Sequence, residues 1–390
     1  MGNFIMEKKT ITYGMVGGSN QAFIGDVHRK AIALDGRAKL VAGCFSSNPD
    51  HNRETGETNH ISPDRLYSDY QAMAKTESTR PDKIDFVSIT TPNHTHYAIA
   101  KEFLLAGINV VCEKPLCFTV EQAEELKNIS EEKGLIFAVT YAYTGYTMVK
   151  VAREMIADGK IGKIININAE YAQDWLLDEI SENEKSSGKK FSFWRMDPEK
   201  SGISNCTGDI GTHMENMVHY LTGLKIKRLH ATINRFGHAL DLNANMIVEY
   251  ENQINGGYWC SQLAAGHKNG FVVRVFGTEG GIEWMEEFPD YLKFTPRNSA
   301  TQILSRSSGY ITEKAASYGR LPAGHPEGYI IAFANTYKNI ISTILKKNAG
   351  ETPSEGDLDF QTVTDGLNGV KFVHAVIESA DNDSKWVTLD

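Results

Sequence analysis

The first 140 residues alternate short apolar runs with amphipathic segments, and this alternation constrains the fold more than any other feature. Several of the amphipathic segments carry helix signals, namely Asn93 as an N-cap, the Thr119/Gln122 capping box, and Gly107 and Gly134 as stops. The apolar runs, which are typical of buried strands, lie at residues 11–16, 39–45, 84–90, 108–112 and 135–140. Strands that alternate with helices predict a doubly wound parallel sheet.

From about residue 143 the pattern changes to one helix, a series of alternating strands and two closing helices. Gly277 to Gly281 predicts a hairpin turn between two of these strands, and residues 297–323 show no clear period. The helices are expected at 148–157, 329–345 and 360–379, and the strands at 164–170, 228–234, 245–251, 257–263, 272–277 and 281–285.

Together these patterns predict an α/β fold with two domains. Residues 1–142 are expected to form a Rossmann-type domain around the doubly wound parallel sheet. Residues 143–390 are expected to form an α+β domain with a large, mostly antiparallel sheet, and the last helix is expected to pack back on the first domain. Because helices on one face of such a sheet leave the other face to be covered, we expect a homo-oligomer, either a dimer or a tetramer.

Composition excludes several classes of partner. The net charge of −9 is spread along the chain, so nothing points to nucleic acid or to an anionic membrane surface. No run approaches the roughly 20 apolar residues that span a bilayer, and residues 1–10 lack the apolar region of a signal peptide. The five scattered cysteines form no C-x-x-C pair, so we expect a soluble cytoplasmic protein with reduced thiols and no metal.

A glycine-containing stretch joins the first predicted strand to the first helix, where parallel sheets bind nucleotide phosphates. It runs Y-G-M-V-G-G-S-N-Q-A-F-I-G-D-V-H over residues 13–28 and lacks the usual G-x-G-x-x-G, so a plain strand-to-helix turn is an alternative. Asn20, Gln21 and Phe23 are expected to extend toward the second domain. The residues expected to contact a dinucleotide are Gly17, Gly18, Ser19, Phe23 and Ile24.

The second predicted strand ends in C-F-S-S-N, residues 44–48, where such a domain meets the adenosine ribose. The usual acidic residue for the 2′-hydroxyl is missing, and no arginine follows at once to hold a 2′-phosphate. Ser46 and Ser47 can hydrogen-bond in both cases. NAD and NADP therefore both remain open as cofactors, with NAD favoured.

Two motifs follow the next strands. T-T-P-N-H-T-H occupies residues 90–96, and V-C-E-K-P-L occupies residues 111–116. Residues at the carboxyl edge of a parallel sheet face the crevice in which ligands bind, although Lys114 could also be a solvated strand-end lysine. In its T-P-N-x-x-H and E-K-P motifs the chain resembles the glucose-fructose oxidoreductase and inositol dehydrogenase family (Gfo/Idh/MocA), and this resemblance covers nearly its whole length.

The resemblance implies roles for both motifs. In that family the E-K-P lysine touches substrate and cofactor, and its proline follows a cis bond, which carries over to Lys114 and Pro115. For His94 and His96, packing at the cofactor edge is favoured over metal binding. The cofactor contacts expected from the two motifs are Thr91, Pro92, Asn93, His96, Glu113 and Lys114.

The stretch G-D-I-G-T-H-M-E-N-M, residues 208–217, predicts a helix with a polar row beside its apolar stripe. Asp209 and His213 belong to that row, and their spacing also suits a metal pair or a core histidine satisfied by the aspartate. The resemblance places this D-x-x-x-H pair over the nicotinamide ring. It implies His213 as the general base, Asp209 as the group that orients it or binds a hydroxyl, and Lys114 as the group that stabilises the alkoxide.

Aromatic and charged residues in the second domain suggest what the substrate is. Trp175, Trp194, Arg195 and His325 are expected to bind it together with Lys114, Asp209 and His213, although packing at the domain interface is an equal alternative for the aromatic residues. The resemblance implies an inositol or a sugar as substrate, so the function predicted is an NAD(P)-dependent oxidoreductase that acts on a secondary hydroxyl of a cyclic polyol or sugar. Two alternatives stay open: a glycosidase that recycles its NAD through a transient keto group, and a nucleotide-binding regulator without catalysis.

Overall fold

The computed structural model describes residues 10–180 and 194–389. The first domain is built on a parallel sheet with the strand order β2-β1-β3-β4-β5. Its strands are β1 (Ile11–Gly17), β2 (Ala38–Cys44), β3 (Phe86–Thr90), β4 (Asn109–Cys112) and β5 (Phe137–Val139). The chain moves outward in opposite directions from β1 and β3, so a crevice opens beyond the carboxyl ends of these two strands. The predicted fold class is confirmed for this domain.

Helices cover both faces of this sheet. They are α1 (Phe23–Ala33), α2 (Pro49–Thr58), α3 (Tyr70–Thr79), α4 (His96–Leu105) and α5 (Val120–Glu132). The Thr119/Gln122 capping box is present at the start of α5. The expectation that Asn93 caps a helix is wrong, because Asn93 lies inside a 3₁₀ turn, Asn93–Thr95, and α4 begins only at His96.

The second domain contains a mostly antiparallel sheet with the order β13-β12-β11-β10-β6-β9-β8-β7-β14. Among the described strands of this sheet, only β6 and β9 pair in parallel. The strands are β6 (Ile164–Ala172), β7 (Ile226–Asn234), β8 (Asn243–Tyr250), β9 (Asn255–Ser261), β10 (Gly270–Gly277), β11 (Gly280–Met285), β12 (Tyr291–Pro296), β13 (Gln302–Ser305) and β14 (Val387–Thr388). The predicted hairpin joins β10 to β11, and the stretch without a clear period contains β13.

The helices of the second domain are α6 (Thr147–Ala157), α7 (Pro198–Ser201), α8 (Thr212–Thr222), α9 (Glu313–Ala316), α10 (Tyr329–Asn348) and α11 (Val363–Asp381). Of these, α6, α8 and α11 contact strands of the large sheet, whereas α10 contacts α1 of the first domain. A short π-helical turn, Thr207–Gly211, leads directly into α8. No helix within the described ranges is long and apolar enough to cross a membrane.

The two closing helices connect the domains. On α10, Phe333, Tyr337 and Ile340 share one buried cluster with Tyr13 of β1 and Phe86 of β3. The last helix, α11, contacts both α5 of the first domain and β7 of the second. The edge of the parallel sheet is thereby fixed against the helical layer of the second domain, and the crevice lies between them.

Candidate active site

A cavity of about 580 Å³ opens where the carboxyl ends of the parallel strands face α8. Several residues predicted from the sequence line it: Phe23, Ile24, Thr91, Asn93, Glu113, Lys114, Trp194, Arg195, Asp209 and His213. A larger cavity of about 1150 Å³ lies elsewhere, beside α6 and residues 355–365, and contains none of them. The smaller cavity therefore brings the two halves of the predicted site together.

The β1–α1 turn is a close backbone contact. Gly17 and Gly18 have positive φ values of 82° and 69°, which side chains rarely tolerate. A Cβ atom on Gly25 would lie 2.3 Å from the Cα of Gly18, so only glycine fits there. The Arg29 guanidinium donates a hydrogen bond to the carbonyl of Gly18 and fixes the turn from behind. The result is a narrow cradle of bare backbone at a helix N-terminus, which suits a pyrophosphate.

Residues 19–24 of this loop contact two different parts of the structure. The Asn20 backbone amide donates to Thr55 Oγ1 at 3.1 Å, and Gln21 Nε2 lies 3.0 Å from a ring nitrogen of His51. Both partners belong to α2, so the expectation that Asn20 and Gln21 extend toward the second domain is wrong. Phe23 is 78% exposed and lines the cavity.

Other predicted cofactor residues lie outside the cavity lining. Ser46 and Ser47 follow β2, where the Ser46 hydroxyl accepts a hydrogen bond from the Asn48 amide at 3.1 Å. Gly17, Gly18, Ser19 and Pro92 are likewise not part of the lining.

His96 is fully buried between two turns. Its ring nitrogens lie 2.9 Å from the carbonyl of Pro115 and 2.8 Å from that of Thr91. Burial lowers the pKa of His96. The side chain therefore ties the T-P-N turn to the E-K-P turn rather than entering the cavity.

Two of the residues expected to bind the substrate lie outside the cavity. Trp175 donates its indole N–H to Gln173 Oε1 at 3.0 Å, and Gln173 lines the cavity in its place. His325 is exposed, and its carbonyl accepts a hydrogen bond from Arg306. Trp175 is thus bonded to a residue of the cavity, whereas neither His325 nor Arg306 is part of its lining.

An ion pair crosses the cavity between the domains. Lys114 Nζ donates to Asp209 Oδ1 at 2.9 Å and to the Asp209 carbonyl at 2.8 Å. The Arg195 guanidinium lies 3.6 Å from Asp209 Oδ2, and its plane stacks on Trp194 with 4.6 Å to the ring centroid. The peptide bond between Lys114 and Pro115 is cis, as the resemblance implies.

These charges determine the protonation of the pair. Burial raises the pKa of the Asp209 carboxyl, but the Lys114 ammonium and the Arg195 guanidinium outweigh it, so the net pKa lies below its ordinary value. Asp209 is therefore an anion across the neutral range. The ammonium of Lys114 anchors it to the first domain.

His213 lies beside this pair, in an aromatic setting. Its ring centroid is 4.7 Å from that of Tyr143 and 5.6 Å from that of Tyr141, which meets it edge-on. Burial and the Lys114 charge hold the pKa of His213 well below its usual value, so the imidazole is neutral. Within residues 10–180 and 194–389 no hydrogen bond joins the ring to another group, so Asp209 does not satisfy it as a core histidine.

Several lining residues carried no functional assignment in the sequence: Tyr143, Tyr171, Gln173, Lys268, Asn269, Glu286 and Tyr329. Tyr143 and Tyr171 share a hydroxyl contact of 2.5 Å, and Asn269 accepts from Tyr171 at 2.6 Å and donates to Glu286 at 2.8 Å. The cluster Y-A-Y-T-G-Y at residues 141–146, at the domain junction, was a usable signal for Tyr143. Asn269 and Glu286 come from separate loops of the large sheet, and nothing in their spacing marks them.

Among the described residues, no group of three or more His, Cys, Asp and Glu side chains is arranged to hold a metal ion. The acidic, basic and aromatic groups of the cavity are arranged instead around one neutral imidazole.

Comparison with known proteins identifies the family. Residues 11–141 match the model described as "Oxidoreductase family, NAD-binding Rossmann fold", and residues 149–283 match the GFO/IDH/MocA C-terminal domain. The oxidoreductase YfiI of Bacillus subtilis is 33% identical over 97% of both chains. The levoglucosan dehydrogenase of Pseudarthrobacter phenanthrenivorans is 27% identical over 79% of this chain and 80% of its own length.

A solved structure extends this comparison to bound ligands. The inositol dehydrogenase homolog of Azotobacter vinelandii, in complex with NADH and myo-inositol, is 35% identical, with a TM-score of 0.88 over 97% of this chain and 98% of its own. Both halves of the chain thus match one family, and its two-domain fold agrees with the sheets described above. The chain belongs to the Gfo/Idh/MocA family and is an NAD-binding oxidoreductase of the dehydrogenase type that acts on CH–OH groups.

Proposed function

We propose that this protein oxidises a secondary hydroxyl of a neutral cyclic polyol or sugar to a ketone, with NAD as the acceptor. The observation that carries the proposal is the neutral His213 imidazole, which has no hydrogen-bond partner in the described structure and faces the same cavity as the Lys114–Asp209 pair. A base without a protein partner, beside a fixed ammonium, is the arrangement that alcohol oxidation requires.

The cofactor residues proposed are those around the glycine cradle and the crevice. The backbone of residues 17–24 would hold the pyrophosphate, Ser46 and Ser47 the adenosine ribose, and Thr91, Asn93 and Glu113 the nicotinamide end. The fit rests on the Gly18–Gly25 contact, since any Cβ would fill the cradle. When bound, NAD supplies the hydride acceptor for the alcohol carbon.

His213 is proposed to take the hydroxyl proton. Its neutral state leaves one ring nitrogen available as an acceptor, and Tyr143 and Tyr141 hold the ring from two sides. Lys114 would donate a hydrogen bond to the same oxygen and stabilise its developing negative charge. Asp209 would keep the ammonium in place and, through its free lone pairs, accept from a neighbouring hydroxyl.

The charges of the cavity favour a neutral substrate. In the described part of the lining every lysine and arginine is ion-paired: Lys114 and Arg195 with Asp209, and Lys268 with Asp174 at 2.8 Å. A phosphate or carboxylate on the substrate would have to compete with the carboxylates of Asp209 and Asp174 for these cations. The amides of Gln173 and Asn269 and the hydroxyl of Tyr143 are suited instead to hydrogen bonds with the hydroxyl groups of a neutral substrate. Myo-inositol and levoglucosan, which are named for two relatives, are neutral compounds of this kind.

The test is a substrate panel. We expect NADH formation, followed by its absorbance, with at least one neutral inositol, hexose or anhydrosugar, and none with the hexose phosphates. His213→Asn should lower kcat about 100-fold or more while NAD affinity is unchanged. Cleavage of a glycoside without net NADH would favour the glycosidase alternative, and NAD binding without any turnover would favour the regulator.

The pH dependence gives a second prediction. Because the pKa of His213 is held low by burial and by Lys114, oxidation should stay independent of this group down to pH values below about 6.5. Lys114→Met removes the cation, so the pKa of His213 should rise and the acidic fall in kcat/KM should move to higher pH. Lys101→Met, which changes a lysine paired with Glu125 on the surface, should leave the profile unchanged. An unshifted acid limb in Lys114→Met would contradict the proposed coupling.

The glycine cradle gives a third prediction. Gly25→Ala would place a methyl group 2.3 Å from the Gly18 Cα, so the turn must open and NAD affinity should fall at least tenfold, measured by calorimetric titration. Gly309→Ala is the matched control, because nothing lies within 4 Å of a Cβ at that position. Equal NAD affinity in the two variants would remove the phosphate role from this loop.

The outer face of the large sheet is proposed as the oligomer interface. On β8 the residues alternate, with Ala244, Met246 and Val248 buried against the helices and Asn245 and Ile247 exposed. Trp259 of β9 lies opposite Asn245 in the register, and Phe276 of β10 is 39% exposed. No helix of the described chain covers this partly apolar face, and a second copy of the same chain is the partner we propose for it.

Charge on this face should therefore separate subunits. Ile247 is 44% exposed on this face. We expect Ile247→Lys to reduce the molar mass measured by light scattering after gel filtration. Leu105→Lys, at a residue 51% exposed at the end of α4, is the control and should keep the parent mass. A parent protein that already elutes as a monomer would refute the interface.

A further inference from the structure

A buried chain of side chains lies behind Asp209, on the side away from Lys114. Gln262, just after β9, is completely buried, and its Nε2 donates to Asp209 Oδ2 at 3.1 Å. Its Oε1 accepts a hydrogen bond of 2.7 Å from Asn205 Nδ2. Asn205 in turn is held by Asp241, which accepts from the Asn205 backbone amide at 2.8 Å.

The base of this chain is rigid. Asp241 is completely buried and its carboxylate accepts from the hydroxyls of Ser204 and Thr207 and from the amides of Asn205 and Thr207, all at 2.7 to 2.8 Å. These bonds fix the start of the π-helical turn that carries Asp209. The Asp209 amide closes the same turn by donating to the Asn205 carbonyl at 2.8 Å. Asn205 therefore anchors Asp209 twice, directly through the backbone and through Gln262 at the carboxylate.

Only one orientation of the two side-chain amides is compatible with these contacts. An ionised Asp209 can only accept, so Gln262 must turn its NH₂ toward it and its oxygen toward Asn205. Asn205 must then donate to that oxygen, which leaves its own Oδ1 buried without a partner. The unsatisfied Asn205 Oδ1 is expected because the ionised Asp209 sets the orientation of Gln262, and Gln262 in turn sets that of Asn205.

We propose that Gln262, oriented by Asn205, is a positioning residue that keeps the Asp209 carboxylate directed at Lys114. A neutral donor suits this place because it satisfies Oδ2 without competing with the ammonium on Oδ1. Gln262 is not part of the cavity lining, so it acts through Asp209. The inference rests on the proposed function to the extent that Asp209 takes part in the reaction.

The decisive variant is Gln262→Glu, which keeps the shape and replaces the amide by a group that titrates. Protonated, the introduced carboxyl can donate to Asp209 and accept from Asn205 as the amide does. Ionised, it would oppose Asp209 across the same contact. The other charged groups near it, Lys114 and Arg195 on Asp209 and Asp241 behind Asn205, lie one residue further away, and neutral His213 adds no charge.

Stability provides a readout that needs no substrate. The pKa of the introduced carboxyl should be raised in the folded state by burial and by Asp209, so the folded protein binds this proton more tightly than the unfolded chain. The variant should therefore be nearly as stable as the parent at pH 5 and lose stability as pH rises toward 8. The measurement is the difference in Tm between variant and parent across that range.

Activity provides the second readout. Gln262→Glu should retain most of the parent kcat at pH 5 to 6 and lose roughly 10-fold to 100-fold by pH 8, whereas Gln262→Met should lose a similar factor at every pH. The KM for NAD should not change in either variant. Gln361→Glu, a buried glutamine whose Oε1 accepts from Thr144 at 2.8 Å, is the matched control and should add no such ionisation to the profile.

The outcomes separate this proposal from the proposed function. A pH-independent Tm difference together with a parent-like activity profile in Gln262→Glu would overturn the positioning role. A pH-dependent Tm difference in a protein without any turnover would keep the contact and reject the reaction. If Gln262→Glu does not fold even at pH 5, Asn205→Asp replaces it as the test. A carboxylate at position 205 can only accept, so the Gln262 amide should turn its NH₂ away from Asp209 and kcat should fall as in Gln262→Met. Unchanged kcat in Asn205→Asp would overturn the proposal.

Discussion

The Lys114–Asp209 ion pair is the interaction on which the site depends. The lysine stands at the carboxyl edge of the parallel sheet, and the aspartate stands on the π-helical turn before α8, so the pair joins the domains where the cavity lies. Its charges also set the chemistry of their surroundings. The ammonium keeps Asp209 ionised and His213 neutral, and it does both because all three side chains are largely removed from water.

A second buried network supports the lysine from the opposite side. Glu113, next to Lys114, accepts from His28 Nε2 at 2.8 Å and from the Thr140 hydroxyl, while His28 Nδ1 lies 2.7 Å from the Tyr337 hydroxyl. Burial raises the pKa of Glu113, but the His28 hydrogen bond and the charge of Lys114 outweigh it and lower the net pKa. The E-K-P turn is thus held by α1 and by α10 at once. Glu113 of this turn bonds to His28 and Thr140, whereas Lys114 bonds to Asp209.

Much of this architecture was predictable because it depends on local patterns. The buried parallel strands, the Thr119 capping box and the β10–β11 hairpin each follow from a few neighbouring residues. Helix α2 was not predicted, since P-D-H-N-R-E-T-G-E-T has no apolar stripe and its start is set by the Asn48 cap and Pro49. Lys114, Asp209 and His213 were marked by motifs. Asn269, Glu286 and Gln262 were not, because only the register of the large sheet and its loops brings them near Asp209 or His213.

The position of α10 has a consequence for how the chain folds during synthesis. Tyr13 and Phe86 of the first sheet are buried against Phe333, Tyr337 and Ile340, more than 240 positions later in the sequence. Until those residues have left the ribosome, the cover that α1 gives to this face of the nascent sheet is incomplete, and the rest of the face stays open to solvent or to other chains. The core of the N-terminal domain is therefore completed by the C-terminal part of the chain. Its completion is coupled to translation of nearly the whole protein, and a chaperone that shields apolar strands would act in that interval.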